Sequence, residues 1–145
     1  MQRSFQYVRE AERLIVFDAL DYGLPPGEMK IVHDADVPKF SGVKKMSLHQ
    51  TGFQEVLNAA DLLDGLPEKM VLIGVQAEEL EDWCGPLTAS VSAQIEAAIA
   101  ACLEILAGWD IPVTPRPAGE QASLLDHGLD RTTFETGPRL SGNRL

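Results

Sequence analysis

Two side chains in this 145-residue sequence have the type and setting for metal or acid–base chemistry: Asp18 and His49. Asp18 follows four apolar residues, Leu14-Ile15-Val16-Phe17. Such a run reads as a strand buried on both faces, which puts Asp18 at the carboxyl edge of a sheet. An ionised carboxylate there needs a partner. Two roles fit it. It is a loop cap that accepts backbone N–H bonds, as Asp does in turns, or it is a metal-binding or catalytic carboxylate. His49 opens a helix within Ser47-Leu48-His49-Gln50-Thr51-Gly52. It is either held by a local hydrogen bond or serves as a neutral imidazole ligand. Imidazole with carboxylate suits zinc or nickel better than calcium or magnesium. The two residues come from separate loops, with no local motif of the H-E-x-x-H kind, so alone they would make a weak, exchangeable site.

The remaining polar groups carry less. Asp21 lies three residues past Asp18 and is a candidate to activate water, but its setting is turn chemistry. The stretch from Gln76 to Pro86 holds Glu78, Glu79, Glu81 and Asp82 beside Trp83 and Cys84. It reads as a solvated acidic loop, with a third ligand or a patch for a basic peptide as the alternatives. His33 and His127 read as solvated. Cys84 and Cys102 form no C-x-x-C and no metal-knuckle spacing, which fits reduced thiols in a cytosolic protein. No Gly-rich phosphate loop, G-x-S-x-G elbow or Cys–His dyad supports covalent catalysis. A formal net charge of −10 disfavours nucleic acid and anionic membranes. No apolar run approaches the roughly 18 residues of a membrane span, and the first residues lack the apolar core of a secretory signal. The expected location is the cytoplasm.

The elements that must hold these residues follow from hydropathy. Residues 2–12 read as a short helix and 14–17 as the buried strand. Asp21 to Gly27 is turn sequence, and residues 28–32 alternate as a half-buried strand. Residues 34–45 form a loop with a short turn of helix. Phe53, Val56, Leu57, Ala60 and Leu63 make the apolar stripe of a helix that Ser47 or Thr51 caps and Gly65-Leu66-Pro67 stops. Residues 70–75 are the strongest strand. Thr88 caps a long helix over 89–107, with Val91, Ile95, Ala98, Ile99, Cys102, Leu103 and Leu106 along one face. Ile111-Pro112-Val113 reads as a short final edge strand. This order predicts an α/β fold, a mostly parallel twisted sheet with helices on both faces, and ligands in such sheets bind beyond the carboxyl ends of the strands. All ten units of excess negative charge fall in residues 1–115, the expected folded domain; residues 116–145 are charge-balanced, rich in Pro, Gly, Ser and Thr, and read as a flexible tail.

Three segments, RLIVFDALDYGLPPG, KKMSLHQTGFQEVL and LIGVQAEELEDWCGPLTASVSAQIEAAI, resemble the maturation proteases of nickel–iron hydrogenases of the uptake type. The resemblance runs from about residue 5 to residue 115. It implies an α/β fold and an aspartic-type or metal-dependent endopeptidase that removes the C-terminal peptide of the hydrogenase large-subunit precursor after nickel insertion. It also implies that nickel, supplied by the substrate, is recognised by the strand-end Asp and the helix-opening His, here Asp18 and His49. It names no catalytic base. The family pattern begins with a strand, a Gly-rich loop, a helix and a second strand, and includes a Glu ligand. That unit has no counterpart before Gln2, so the expectation is an N-terminally truncated version of the domain, with Glu78 or Glu79 as possible substitutes for the missing ligand. The alternative expectation is a non-catalytic form that only binds the large subunit.

Overall fold

The structure is a computed structural model and describes residues 2–40, 48–63, 65–79 and 86–117, without the side chains of 2–5, 20, 39–40 and 48–54. Its elements are α1 (Gln2–Glu10), β1 (Arg13–Leu20), β2 (Met29–His33), a 3-10 turn (Asp34–Asp36), α2 (Val37–Phe40), α3 (Leu48–Asp61), β3 (Lys69–Gln76), α4 (Ala89–Ser92) and α5 (Ile95–Gly108). β3 lies at the centre of a three-stranded sheet of order β1-β3-β2. β1 pairs with it in parallel, from Arg13 opposite Lys69 to Leu20 opposite Gln76. β2 pairs with it antiparallel, from Met29 opposite Val75 to His33 opposite Val71. The fold is α/β as expected, but the described sheet is mixed rather than mostly parallel. Alternation marked residues 28–32 as a strand, and alternation carries no information about direction.

Helices cover both faces. On one, Val8 of α1, Val37 of α2 and Val56, Leu57 and Ala60 of α3 bury against Val32, Met70 and Leu72, with Leu14 and Val16 packed alongside. On the other, Ala98 of α5 buries against Val71 and Ile73, joined by Ile15, Ala101, Cys102 and Ile105. β1 and β3 are continuous apolar runs because each strand feeds both layers. Gly65 ends the α3 connection, its N–H bonded to Ala60 O at 2.9 Å.

Several expectations are corrected. β1 is longer than the apolar run and takes in Asp18, because a strand's ladder is made by the backbone and tolerates a polar side chain at its end. The long helix over 89–107 is two helices, α4 and α5, with a turn between them. Its sheet-facing side is Ala98, Ala101, Cys102 and Ile105, while Ile99 and Leu103 are exposed. Thr88 stands at the α4 N-cap without a side-chain capping bond; its hydroxyl lies 3.0 Å from that of Ser90. Leu63 lies past the end of α3 and is exposed. Ile111-Pro112-Val113 forms no strand. Pro112 has no N–H for a ladder, and the N–H of Ile111 is taken by Leu106 O at 2.9 Å. Judged by length and composition alone, Ala89–Gly108 is apolar enough to cross a membrane, contrary to the expectation that nothing would be. In the fold this stretch is mostly uncovered: α5 meets the sheet along Ala98, Ala101, Cys102 and Ile105, and of residues 89–108 Ala98 alone is buried. Of the two caps expected for α3, Thr51 falls inside the helix, which already runs from Leu48, and so does not start it; Ser47, the acidic residues 81–82, Cys84, His127 and the tail from 118 onward lie outside the described residues.

Candidate functional site

Asp18 lies near the carboxyl end of β1, opposite Gly74 of β3, a residue with no side chain to crowd the carboxylate. Its Oδ1 accepts the N–H of Ala19 at 2.9 Å. Strand alternation puts Asp18 on the face of Leu14 and Val16, which is the face that α3 covers. α3 precedes β3 and delivers the chain to its amino end, so the first turn of α3 belongs to the opposite, carboxyl edge of the sheet. His49 stands in that first turn. The topology thus brings the backbone of His49 to the sheet edge of Asp18, while the His49 side chain lies outside the described ones.

Beside Asp18 an open groove of about 420 Å3 runs between the end of β1 and the α4–α5 segment. Its walls are apolar: Phe17, Ile73, Val91, Ile95 and Ile99 line it with Asp18. Phe17 is 53% exposed there. β1 is an edge strand among the described residues.

The loop from Asp21 to Glu28 closes over the same end of the sheet. Asp21 Oδ1 accepts the N–H of Gly23 at 3.3 Å, the turn role its sequence setting suggested. Gly23 and Gly27 have φ of +67° and +82°, which L side chains rarely adopt. A Cβ on Gly27 would meet Ser90 O at 2.9 Å, so glycine also lets the loop pass close to α4. Ser90 in turn donates to Glu78 Oε2 at 2.9 Å, which gives Glu78 a neighbour on α4. Glu79 is exposed, as is His33. Among the described residues no group of three His, Cys, Asp or Glu could hold a metal ion together.

Two residues of this site were not singled out in the sequence. Gln76 ends β3 and is 5% exposed, the buried polar side chain among the described residues. Tyr22 packs into the α3-side core, and the Lys30 ammonium sits 5.6 Å from its ring centre. Burial, then the negative charge of Asp18, push the Tyr22 phenol up to about 12. A signal for Gln76 was present: an amide at the end of the most apolar strand has to find partners. For Tyr22, four residues past Asp18, the signal was its nearness in sequence; what the sequence could not show is its burial in the α3-side core.

The Tyr22 shift predicts a pH effect. The ordinary value is 10.0, so above that pH the unfolded chain loses its phenol proton while the folded chain keeps it. The unfolded state then binds fewer protons, and stability falls as pH rises from 10 toward about 12. Phenolate absorbance, with Tyr22→Phe to assign the step, is expected to place Tyr22 near 12; a Tyr22 step at 10 would contradict the burial described.

Comparisons with known proteins agree on one family. A family model described as hydrogenase maturation protease matches residues 2–105. The chain is 56% identical over 131 residues to the hydrogenase expression/formation protein HupD of Rhizobium leguminosarum bv. viciae, covering 90% of this chain and 65% of that one. It is 49% identical over 133 residues to HoxM of Cupriavidus necator, covering 89% and 66%. It also superposes on the hydrogenase maturating endopeptidase HybD of Escherichia coli with a TM-score of 0.66 at 34% identity, covering 74% of this chain and 66% of that one. The chain therefore spans about two thirds of the length of the curated relatives it matches.

Proposed function

The chain belongs to the hydrogenase maturation protease family, and from that premise we propose that it is an endopeptidase acting on the large-subunit precursor of a nickel–iron hydrogenase. In this reading it removes the C-terminal peptide after nickel insertion, and the nickel it recognises is part of its substrate. The observation that supports this most directly is that the family match spans both Asp18 and His49. The local geometry is compatible: Asp18 stands at the carboxyl end of β1, on the sheet face covered by α3, the helix that carries His49 in its first turn. Carboxylate and imidazole are acceptable nickel ligands. A nickel ion held between substrate and these two side chains would serve as a specificity check and would polarise a nearby carbonyl. The groove offers apolar walls to side chains flanking the cleaved bond. The proposal places the reaction in the cytoplasm, in keeping with Cys102, which is a free thiol.

The test is an incubation of the 145-residue chain with nickel-loaded and nickel-free large-subunit precursor, read by intact mass. The expected result is a shortened loaded precursor and an unchanged nickel-free one. A loaded precursor that co-purifies with the chain at unchanged mass would replace the protease by a binding module.

A further inference from the structure

Gln76 is where four segments meet. Its backbone N–H donates to Glu28 O at 2.8 Å, and its C=O accepts from Gly27 N–H at 2.9 Å. Its side-chain Oε1 accepts from the N–H groups of Tyr22 at 2.8 Å and Leu24 at 3.2 Å. Its Nε2 donates to Ala77 O at 3.1 Å and more distantly to Asp21 Oδ1 at 3.4 Å. Two backbone N–H groups aimed at one atom fix that atom as the amide oxygen, which settles the orientation of the carboxamide. All four hydrogen-bonding positions of the side chain are thereby used.

The amide satisfies the backbone N–H groups of Tyr22 and Leu24, which an apolar side chain would leave unpaired at a cost in stability, and because these bonds are directional they do more than stabilise. What the amide supplies is geometry. Gln76 is paired in register with Leu20, two residues beyond Asp18. It therefore holds the chain on both sides of that point: β1 through the ladder, and the loop after β1 through Tyr22 and Leu24. We propose that Gln76 is a positioning residue for Asp18, fixing the carboxyl end of β1 and the loop that follows it in the geometry the site uses. This rests on the proposed reading of Asp18 as the working carboxylate. Gln76 touches no reacting atom in this account. It acts through the backbone of residues 20–24.

The test uses the full chain and two variants, Gln76→Met, which keeps the length and the backbone bonds but loses every polar bond of the side chain, and Gln76→Asn, which keeps the amide but is too short to span both N–H groups. Amide hydrogen exchange reports whether the end of β1 is held, because the Ala19 N–H is bonded to Asp18. In both variants Tyr22, Leu24 and Ala19 are expected to exchange about tenfold faster, the effect of losing one hydrogen bond's worth of protection, with Val71 to Ile73 unchanged. Should Gln76→Met fail to fold, Gln76→Asn carries the comparison. Faster exchange at Tyr22 and Leu24 with Ala19 unchanged would reduce Gln76 to a loop fastener and overturn the proposal. Cleavage of nickel-loaded precursor adds a functional readout: kcat is expected to fall about tenfold with KM unchanged, and an unchanged kcat in a variant of a cleaving chain overturns the proposal. If the unsubstituted chain does not cleave, the protease reading fails by itself, and the Ala19 comparison still decides the role of Gln76.

Discussion

Asp18→Asn is expected to lower cleavage of nickel-loaded precursor by about 10²–10³-fold, the usual cost of removing one preorganised charged group from a reacting centre. The substitution separates the two roles that the sequence left open for this residue. Asparagine keeps an Oδ1 that can accept the Ala19 N–H, the bond that Asp18 makes at 2.9 Å. As a loop cap it is equivalent to aspartate. It is a far poorer ligand for a divalent cation, because the negative charge is gone. A variant that folds normally and cleaves at the original rate would return Asp18 to the capping role and remove the basis for metal recognition. The Tyr22 phenol provides an internal control. Part of its rise to about 12 comes from the Asp18 charge, so in Asp18→Asn it should titrate lower. It should still stay above 10.0, because burial is the larger cause.

Leu57→Ala is expected to cost about 2–5 kcal/mol, the range for emptying a buried leucine site. Leu57 is fully buried and belongs to the cluster that ties α3 to α1, β2 and β3. The surrounding groups come from several separate elements, which limits how far the site can collapse around a missing side chain. Denaturant unfolding with an unchanged m-value would measure it. Leu62→Ala is the matched control. Leu62 is 85% exposed just past the end of the same helix, and its removal is expected to stay within about 0.5 kcal/mol. A loss below about 1 kcal/mol for Leu57→Ala would mean that α3 is not seated as described.

How much of this was legible depends on what decides each feature. Leu14–Phe17 and Met70–Val75 were readable as strands because they are unbroken apolar runs too short for a helix; burial on both faces holds for Val71 to Ile73 of β3, whereas Leu14 to Val16 of β1 are only half-buried and Phe17 is exposed. Their ends were misjudged at Asp18 and Gln76, where a polar side chain interrupts the hydropathy while the ladder continues. Val56, Leu57 and Ala60 were found by spacing, since α3 is polar on its other side. α5 defeated the same method because it is apolar nearly all round. Contact with the sheet is then chosen by side-chain size, and Ala98 and Ala101 permit the close approach where Ile99 and Leu103 do not. Asp18 could be picked out because a charge ends an apolar strand. The grip of Gln76 on Tyr22 and Leu24 could not, because it joins residues 52 and more positions apart through a fold not yet known.

The central position of β3 also sets the order in which this protein can be made. Arg13 pairs with Lys69 and Met29 with Val75, so every strand pairing described waits for the last strand to arrive. No hairpin forms along the way among the described residues. At about 5–20 residues per second, β1 leaves the ribosome several seconds before β3. During that interval it is an apolar strand with its described partner still unmade, which is the condition that favours capture by a chaperone or by another nascent chain. Productive folding of this chain is then a race between synthesis of residues 69–76 and association of residues 13–20 with something else.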